Sequence, residues 1–288
     1  MINALTIDVE DYFQVNAFAK VVRLDQWGSY PLRVDNNTRR ILDMLDKFNI
    51  KATFFILGWV AERLPELTKE IHRRGHEVAC HGYSHELVYE IGPERFRADI
   101  RRSKMLLEDQ CGAKINGYRA PSYSITGKSL WALDILVEEG FSYDSSIFPV
   151  MHDTYGIPDA DRFPHVVQTS AGPLFEFPLT TLPLKIGNKE FRLPIAGGGY
   201  LRLFPVELLR RGIERINNSE HQPAVLYFHP WEIDPDQPRI KAGMKSTFRH
   251  YLNLHRTECK LEHLFKRLKL APMKTVLSAL RLTAVEFN

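Results

Sequence analysis

Residues 50–81 indicate the fold most clearly, and their sequence is IKATFFILGWVAERLPELTKEIHRRGHEVACH. It starts with the apolar run Ala52–Leu57, continues through an amphipathic segment at Pro65–Arg74 that Gly75 ends, and finishes with the short run Glu77–Cys80. Apolar runs of this length are typical of strands buried on both faces, and glycine is preferred just after a helix. The stretch therefore predicts a strand–helix–strand unit with parallel strands and a right-handed crossover.

The same rhythm recurs on both sides of this unit. Further strands are predicted at Ala4–Ile7, Ile115–Tyr118, Phe141–Tyr143 and Ala224–Phe228. Further helices are predicted at Asp35–Asn49, from Pro93 to Gly112, at Lys128–Glu139 and at Pro205–Asn217. Five or more such units without a glycine-rich nucleotide loop favour a barrel of the α/β class, and an open doubly wound sheet is the alternative.

The rhythm breaks between residues 146 and 204, where Pro and Gly are frequent. Two β-like pieces in this segment, Leu174–Thr181 and Phe191–Ile195, predict an insertion of irregular hairpins. Residues 1–235 are predicted to form the catalytic barrel that carries this insertion. Residues 236–288 are basic and helical in places, and we predict that they form an extension packed on or beside the barrel.

The composition is that of an ordinary globular protein. The chain has 288 residues, of which 44% are hydrophobic and 25% charged, so disordered and collagen-like classes are excluded. A net charge of +3 is too small to indicate a nucleic-acid-binding protein. Three cysteines without a CxxC pair fit a reducing compartment. The sequence shows no signal peptide and no transmembrane run, which predicts a cytoplasmic location and allows peripheral contact with the inner leaflet. It gives no oligomeric state.

Five predicted strands each end in a charged or titratable residue. These residues are Asp8, His81, Arg119, Asp144 and His229. In parallel α/β folds the carboxyl ends of the strands converge on one edge, where active sites lie. A single residue of this kind is typical of a solvated loop, whereas five together indicate a functional site.

The sequence HGYSH places His81 and His85 four positions apart, so that both imidazoles can face one ion. A carboxylate would complete a three-ligand site of the hydrolytic type, and the segment DVED at residues 8–11 offers three. Strand alternation puts Asp8 and Glu10 on one side, which favours Glu10 as the ligand and Asp8 as a base, with Asp11 in reserve. The alternative is an acidic strand end that caps the next turn.

The remaining candidates each have a structural alternative. Arg119 is within reach of a carboxylate, and the alternative is an ion pair with Asp144. His229 has the side chain of a general acid, because imidazole titrates near neutral pH. Trp231 could stack on a sugar or pack beneath a loop. The glycine run before Tyr200 either lets the backbone approach a ligand or forms a surface loop.

Taken in order, these motifs resemble those of the polysaccharide deacetylases, carbohydrate esterase family 4. The motifs that carry the likeness are TIDVED at 6–11, HGYSH at 81–85, RAP at 119–121, Asp144, and LYFH at 226–229. The likeness covers about residues 1–235. The sequences GGGYLRL, HPWEIDPDQPR and FRHYLNL also resemble a subfamily found with bacterial exopolysaccharide export loci, which extends the likeness to about Leu264.

The resemblance implies a distorted (β/α) barrel of about seven strands. It also implies one divalent metal, zinc in the first place with cobalt, nickel or manganese as alternatives. The implied reaction removes the N-acetyl group from an N-acetylhexosamine-containing (exo)polysaccharide or its precursor, so the partner is an N-acetylated glycan. Asp8 would be the base and His229 the acid. Arg119 would orient Asp8, and Asp144 would tune His229.

Substrate contacts are implied for Ser122, as a backbone donor to the oxyanion, and for Tyr123, with Tyr200 and Trp231 as further candidates. The family has adjacent aspartates in its first motif, whereas Val9 separates the carboxylates here, so the third ligand is either Glu10 or Asp11. Two other functions stay open. One is hydrolysis of another linear or cyclic amide on the same fold, with or without metal. The other is glycan binding without catalysis.

Overall fold

In a computed structural model of the chain, residues 1–187, 189–280 and 284–285 are described, and ten strands join in one sheet. The strands are β1 (Asn3–Val9), β2 (Thr53–Ile56), β3 (Glu77–Cys80), β4 (Gly117–Tyr118), β5 (Tyr143–Asp144), β6 (His165–Thr169), β7 (Gly172–Glu176), β8 (Thr181–Ile186), β9 (Lys189–Pro194), β10 (Val225–Phe228), β11 (Leu270–Ala271) and β12 (Ala284–Val285). The order across the sheet is β10–β1–β2–β3–β4–β5–β7–β6–β12, with β11 paired to β1. All of its pairs are parallel except β6–β7, and β8–β9 is a separate antiparallel hairpin.

Helices follow most of the strands, as the predicted rhythm requires. The helices are α1 (Val34–Lys47), α2 (Gly58–Arg63), α3 (Pro65–Arg73), α4 (Val88–Cys111), α5 (Trp131–Glu138), α6 (Gly199–Leu203), α7 (Val206–Arg215), α8 (Met244–Tyr251), α9 (Leu254–Phe265) and α10 (Met273–Ser278). The predicted α/β class is therefore confirmed. No helix of the described residues has both the length and the apolar character needed to cross a membrane.

The helix predicted to open at Pro93 begins earlier, at Val88. Gly92, with φ 75° and ψ 170°, interrupts it directly before the proline. The residue before a proline is disfavoured in helical geometry, and only glycine reaches such a φ without strain. Pro93 thus starts the long regular part of α4, and a separate turn precedes it.

β1 is the strand around which the sheet is built. Its seven residues are all buried, and it pairs with β10 on one side and β2 on the other, so that Ile7 lies between Phe228 and Phe54. The ladder continues to Val9, which pairs with Ile56. The sequence predicted Asp8 and Asp144 directly after their strands. In the structure Asp8 lies within β1 and Asp144 within β5.

Seven strands, from β10 through β1 to β7, form a curved sheet whose two ends approach each other. The Val225 N–H donates to the Thr180 hydroxyl (2.7 Å), which lies beyond β7, and the Tyr227 N–H donates to the Ala196 carbonyl (2.8 Å). At this crossing Gly197 has φ +148°, and a Cβ would strike the Tyr227 carbonyl oxygen. Within the described residues no strand ladder closes the ring, and these single contacts bridge the gap.

The segments predicted as insertion and extension both contribute to this sheet. β7 pairs with β5, and β11 pairs with β1. The start of α10 is attached to the first residues of β2 and β3. There the Met273 N–H donates to the Thr53 hydroxyl (2.7 Å) and the Lys274 N–H to the Glu77 carboxylate (3.1 Å). Residues 281–283 and 286–288 of the predicted extension lie outside the described residues.

Asp11 holds the start of α1. Its Oδ2 accepts hydrogen bonds from the N–H groups of Arg33 (2.8 Å) and Val34 (3.0 Å), and its Oδ1 accepts one from the Tyr12 N–H (2.9 Å). The first N–H groups of a helix have no partner within the helix, and a carboxylate there is stabilising. Because both oxygens are engaged, the reserve assignment of Asp11 as a metal ligand is replaced by capping, which was the predicted alternative for this acidic segment.

Replacing Asp11 with alanine should lower the free energy of unfolding by about 1–3 kcal/mol, because buried N–H groups lose their acceptor. Denaturant unfolding measures this. Asp35→Ala, on the exposed side of the same helix turn, is the matched control and should change stability by less than about 0.5 kcal/mol. Loss of metal binding in Asp11→Ala, with the fold retained, would contradict the capping role.

Candidate active site

A cavity of about 560 Å³ opens where β1, β3 and β10 end. The structure brings most of the predicted site residues to its wall. Those that line it are Asp8, Glu10, His81, His85, Ser122, Tyr123, His229 and Trp231. Arg119, Asp144 and Tyr200 lie outside the lining. Each of these three is placed by contacts of its own, which are described below.

Glu10, His81 and His85 form the floor of the cavity. Their ligand-type atoms all lie within 4.8 Å of one another, and the Glu10 Oε2 is 2.6 Å from the His85 Nε2. The His81 Nδ1 contacts the Arg119 carbonyl oxygen at 2.8 Å. A carbonyl oxygen can only accept, so Nδ1 carries the ring proton and Nε2 is left unprotonated toward the cavity. This is the donor set of a three-ligand divalent metal site with an open position.

The ionisation of these groups matches that donor set. Burial by itself raises the pKa of Glu10, but the imidazoles of His85 and His229 outweigh it and hold that pKa well below its usual range. Burial lowers the pKa of His81 to about 4. A carboxylate and a neutral imidazole are the forms that bind a metal. The Trp231 Nε1–H donates to the Glu10 Oε1 (3.1 Å), while the buried Oε2 has no hydrogen-bond donor of good geometry. These residues therefore fit a divalent ion.

The loop that carries His81 and His85 is held from behind by Asp99 of α4. The Asp99 carboxylate accepts hydrogen bonds from the Tyr83 N–H (2.7 Å), the Ser84 N–H (3.2 Å) and the Ser84 hydroxyl (2.7 Å). Ser84 thus supports the loop of the two histidines through the Asp99 carboxylate. Sequence reasoning did not single out Asp99, because nothing in its helical surroundings marks it.

Left-handed backbone is concentrated around the cavity. Among the described residues, six that are not glycine have a positive φ, and His85 (52°), Ser122 (52°) and Tyr123 (54°) are three of them. Such geometry costs free energy of order 1 kcal/mol per residue and persists where the surroundings impose it, often at functional sites. The Tyr123 N–H donates to the Ala120 carbonyl (3.0 Å). Ser122 is thus the residue of this turn that can present its N–H to the cavity.

Asp8 is paired with a fully buried arginine. The Arg119 Nη1 donates to the Asp8 Oδ1 (2.7 Å) and to the Thr6 hydroxyl (2.7 Å), and its Nε and Nη2 donate to the carbonyl (3.1 Å) and hydroxyl (2.9 Å) of Ser145. The other Asp8 oxygen, Oδ2, lies 3.9 Å from the His229 Nε2 across the cavity. Oδ2 also accepts a long hydrogen bond from the Tyr123 hydroxyl (3.5 Å). Arg119 therefore fixes one oxygen of Asp8, and the other faces the cavity with only this weak partner.

Asp144 is not the partner of Arg119 or of His229. Its carboxylate accepts hydrogen bonds from the hydroxyl (2.6 Å) and the N–H (3.2 Å) of Ser146, and Ser146 in turn accepts the Ala120 N–H (2.8 Å). Burial raises the pKa of Asp144 to about 6. The predicted tuning of His229 by Asp144 is therefore wrong in this structure: Asp144 fixes the turn that follows Arg119.

Glu232 takes the place predicted for Asp144. Its Oε2 lies 3.0 Å from the His229 Nδ1 and accepts the His229 N–H (2.9 Å), while the Arg202 Nε donates to its Oε1 (2.6 Å). Burial lowers the pKa of His229, but the charges of Glu10, Glu232 and Asp8 outweigh it and raise that pKa to about 9. His229 is thus held as an imidazolium with its Nε2 toward Asp8.

Trp231 has no free face. Its indole is 5% exposed and lies between two imidazoles, stacked on His229 (centroids 5.2 Å apart) and on His250 (4.1 Å). The predicted stacking of a sugar on Trp231 is therefore excluded, and its Nε1–H orients Glu10 instead. Tyr200 stacks on Phe204 (6.0 Å) and does not line the cavity, and its predicted sugar contact stays a prediction.

Three sequence motifs meet behind His229. Arg202, from GGGYLRL, pairs with Glu232, from HPWEIDPDQPR, and its Nη1 donates to the carbonyls of Arg249 (2.8 Å) and His250 (2.7 Å), from FRHYLNL. The His250 Nε2 contacts the Gln237 Oε1 at 2.7 Å. Sequence reasoning quoted these motifs without assigning Glu232, Arg202 or His250.

Two regions of the chain match known protein families. Residues 26–136 match the family described as Polysaccharide deacetylase, and residues 145–278 match a domain of unknown function (DUF3473). Residues 26–136 are therefore similar to polysaccharide deacetylases, which confirms the predicted family for this part of the chain. Asp8 and Glu10 lie before the first matched region, and His229 and Glu232 lie in the second. The exopolysaccharide-export subfamily stays a prediction.

Among curated proteins, a peptidoglycan-N-acetylglucosamine deacetylase of Bacillus cereus is 29% identical over 130 residues, which are 41% of this chain and 47% of that protein. A peptidoglycan deacetylase of Helicobacter pylori is 32% identical over 116 residues, 40% of this chain and 38% of that protein. The chain thus spans less than half the length of these relatives.

Among solved structures, a Mycobacterium smegmatis protein described as a polysaccharide deacetylase aligns over 100% of this chain and 93% of its own, with a TM-score of 0.66 and 20% identity. An allantoinase aligns over 96% of this chain and 89% of its own, with a TM-score of 0.59 and 14% identity. At these identities the likeness concerns the fold alone.

The floor residues should hold one divalent ion per chain, and zinc is the probe we would use. His85→Ala and Glu10→Gln should each weaken zinc binding by about 100-fold or more, because an open three-ligand site loses one ligand. Competition with a chromogenic chelator measures the affinity. His72→Ala, an exposed histidine of α3, is the control. Unchanged zinc affinity in His85→Ala would rule out this ligand set.

Glu232→Gln should lower the pKa of His229 from about 9 toward the ordinary histidine value near 6.5, because the imidazolium loses an adjacent negative charge. A proton NMR titration of the metal-free protein measures the change. Glu207→Gln, which alters the carboxylate beside His263, is the matched control. A His229 pKa that stays near 9 in Glu232→Gln would show that Glu232 does not set it.

Proposed function

We propose that the protein is a metal-dependent N-deacetylase that removes the acetyl group from an N-acetylhexosamine in a polysaccharide or its precursor. One observation carries the proposal: the Asp8 Oδ2, which Arg119 does not bind, and the Nε2 of His229 face each other at 3.9 Å above a floor of one carboxylate and two imidazoles. A base and an acid on opposite sides of a metal-binding floor are what amide hydrolysis requires. The deacetylase names of the curated relatives agree with it.

Asp8 is placed to act as the base. A divalent ion on Glu10, His81 and His85, most simply zinc, would polarise the acyl oxygen and lower the pKa of a water molecule. The Asp8 Oδ2 accepts the proton of that water as its oxygen adds to the carbonyl carbon. Arg119 holds the carboxylate of Asp8 by the bond to Oδ1, so Oδ2 stays directed at the cavity. The Ser122 N–H is our candidate donor to the oxyanion.

His229 is placed to act as the acid. As the C–N bond breaks, the amine nitrogen must receive a proton, because an amide anion is a poor leaving group. In the metal-free protein Glu10, Glu232 and Asp8 raise the pKa of His229 to about 9, and Glu232 fixes its ring through Nδ1. The products are acetate and a free amino sugar. Water supplies one oxygen to acetate and leaves its proton on Asp8, while His229 gives its proton to the nitrogen. Transfer of the proton from Asp8 to His229 then restores both residues.

Exopolysaccharide as the source of the glycan remains a prediction of the sequence. Hydrolysis of a cyclic amide on the same fold is the alternative, and the fold likeness to an allantoinase does not separate the two. Acetate released from N-acetylglucosamine oligosaccharides, set against ring opening of hydantoin-type substrates, separates them directly. Glycan binding without release of acetate would indicate the non-catalytic alternative.

Asp8→Asn and His229→Ala should each reduce acetate release from N-acetylglucosamine oligosaccharides by about 100-fold or more in the zinc-loaded protein. The asparagine can still accept a hydrogen bond from Arg119, so a thermal melt should show that the fold is kept. Asp43→Asn and His72→Ala, both exposed and away from the cavity, are the matched controls. Near-normal release by Asp8→Asn would remove Asp8 as the base.

A further inference from the structure

The outer wall of the cavity is built from three segments. One follows β1 and contributes Asn16 to Lys20, a second is the loop 152–155, and the third is α8. None of these segments supplies a residue to the base, the acid or the metal-binding floor. The side chains they present therefore have another role at the mouth of the cavity.

Three cations line this wall: Lys20, Lys245 and Arg249. No ion pair to any of them is found among the described residues, although many exposed arginines elsewhere are paired, such as Arg101 with Glu139. Asp153 is the one carboxylate that these three segments contribute to the lining. Deeper in the cavity, the charge of Asp8 is already balanced by Arg119. The mouth of the cavity thus carries an excess of two positive charges.

Two side chains of like charge lie next to each other on α8. Lys245 and Arg249 are four positions apart on one helix, and like charges at this spacing repel each other. Both also act on His152, whose ring stacks on Tyr155 with centroids 3.8 Å apart. Burial lowers the pKa of His152, and the positive charges of Arg249 and Lys245 lower it further. A negative group bound between these side chains would relieve the repulsion.

We propose that Lys20, Lys245 and Arg249 form a subsite for an acidic group on the sugar next to the N-acetylated residue, so that the substrate is an acidic N-acetylated glycan. A carboxylate or a phosphate carries the required chemistry, since lysine and arginine pair with both. This inference rests on the proposed deacetylase function, because it names the substrate class of that same cavity.

The test compares two oligosaccharides of equal length with the zinc-loaded protein. One is a chitin hexasaccharide, which is neutral, and the other is a hyaluronan hexasaccharide, in which N-acetylglucosamine alternates with glucuronic acid. The ratio of their kcat/KM values for acetate release is the readout. We expect a preference of about ten-fold for the acidic substrate, which falls toward one in 0.5 M NaCl because salt screens such exposed pairs.

Charge reversal sharpens the test. The double variant Lys245→Glu/Arg249→Glu should reverse the preference, since the subsite then repels glucuronate. Lys114→Glu/Lys269→Glu makes the same change in net charge at two exposed positions outside the cavity and should keep the wild-type ratio. Thermal melts of both double variants show whether each has folded.

The outcomes separate the two proposals. Acetate released equally well from both substrates would overturn the acidic subsite and leave the deacetylase intact. A preference that the control pair abolishes as fully as the α8 pair would also overturn it, as would binding to anionic phospholipid vesicles that depends on Lys245 and Arg249 without any substrate preference. If neither substrate releases acetate, the proposed function fails, and calorimetry with Asp8→Asn decides the subsite by whether the acidic hexasaccharide binds more tightly than the neutral one.

Discussion

The buried guanidinium of Arg119 is the constraint on which the site depends. A charge removed from water is tolerated only when it is paired and fully hydrogen-bonded, and Arg119 meets that requirement through groups on other strands. Thr6 and Asp8 come from β1, and Ser145 follows β5. Each of these strand ends is therefore fixed relative to the others. The same bond divides the two oxygens of Asp8, so that one is structural and one is free for chemistry.

A second buried charge pair supports the opposite side of the cavity. Arg202 and Glu232 hold the ring of His229, while His250 and Trp231 stack behind it. Most of these residues belong to the region matched by the domain of unknown function, whereas His81, His85 and Arg119 belong to the deacetylase match. The two matched regions thus build one cavity between them. The acid is supplied and positioned by the second region, and most of the floor by the first.

Local patterns predicted what local physics controls. Alternation and apolar runs located the strands, and the polar residues at their ends identified Asp8, His81, Arg119 and His229, because parallel strands deliver their ends to one edge. Strand alternation also placed Glu10 beside the histidines. Partners that depend on three-dimensional packing were not predictable. Glu232 sits on a turn beside its histidine, and nothing in the sequence shows that Trp231 is covered on both faces. Capping by the acidic segment 8–11 was an open alternative, but the sequence does not show that Asp11 is the residue that meets the start of α1.

The central position of β1 has a consequence for how the protein is made. Its neighbour on one side, β2, follows closely, but its other neighbours, β10 and β11, are synthesised much later. The Glu10 carboxylate meets the Trp231 indole 221 positions later. At roughly 5–20 residues per second, a ribosome needs more than about 10 s to bridge that separation. During this interval one edge of the apolar strand β1 has no partner, so the newly made chain is exposed to edge-to-edge aggregation until β10 emerges.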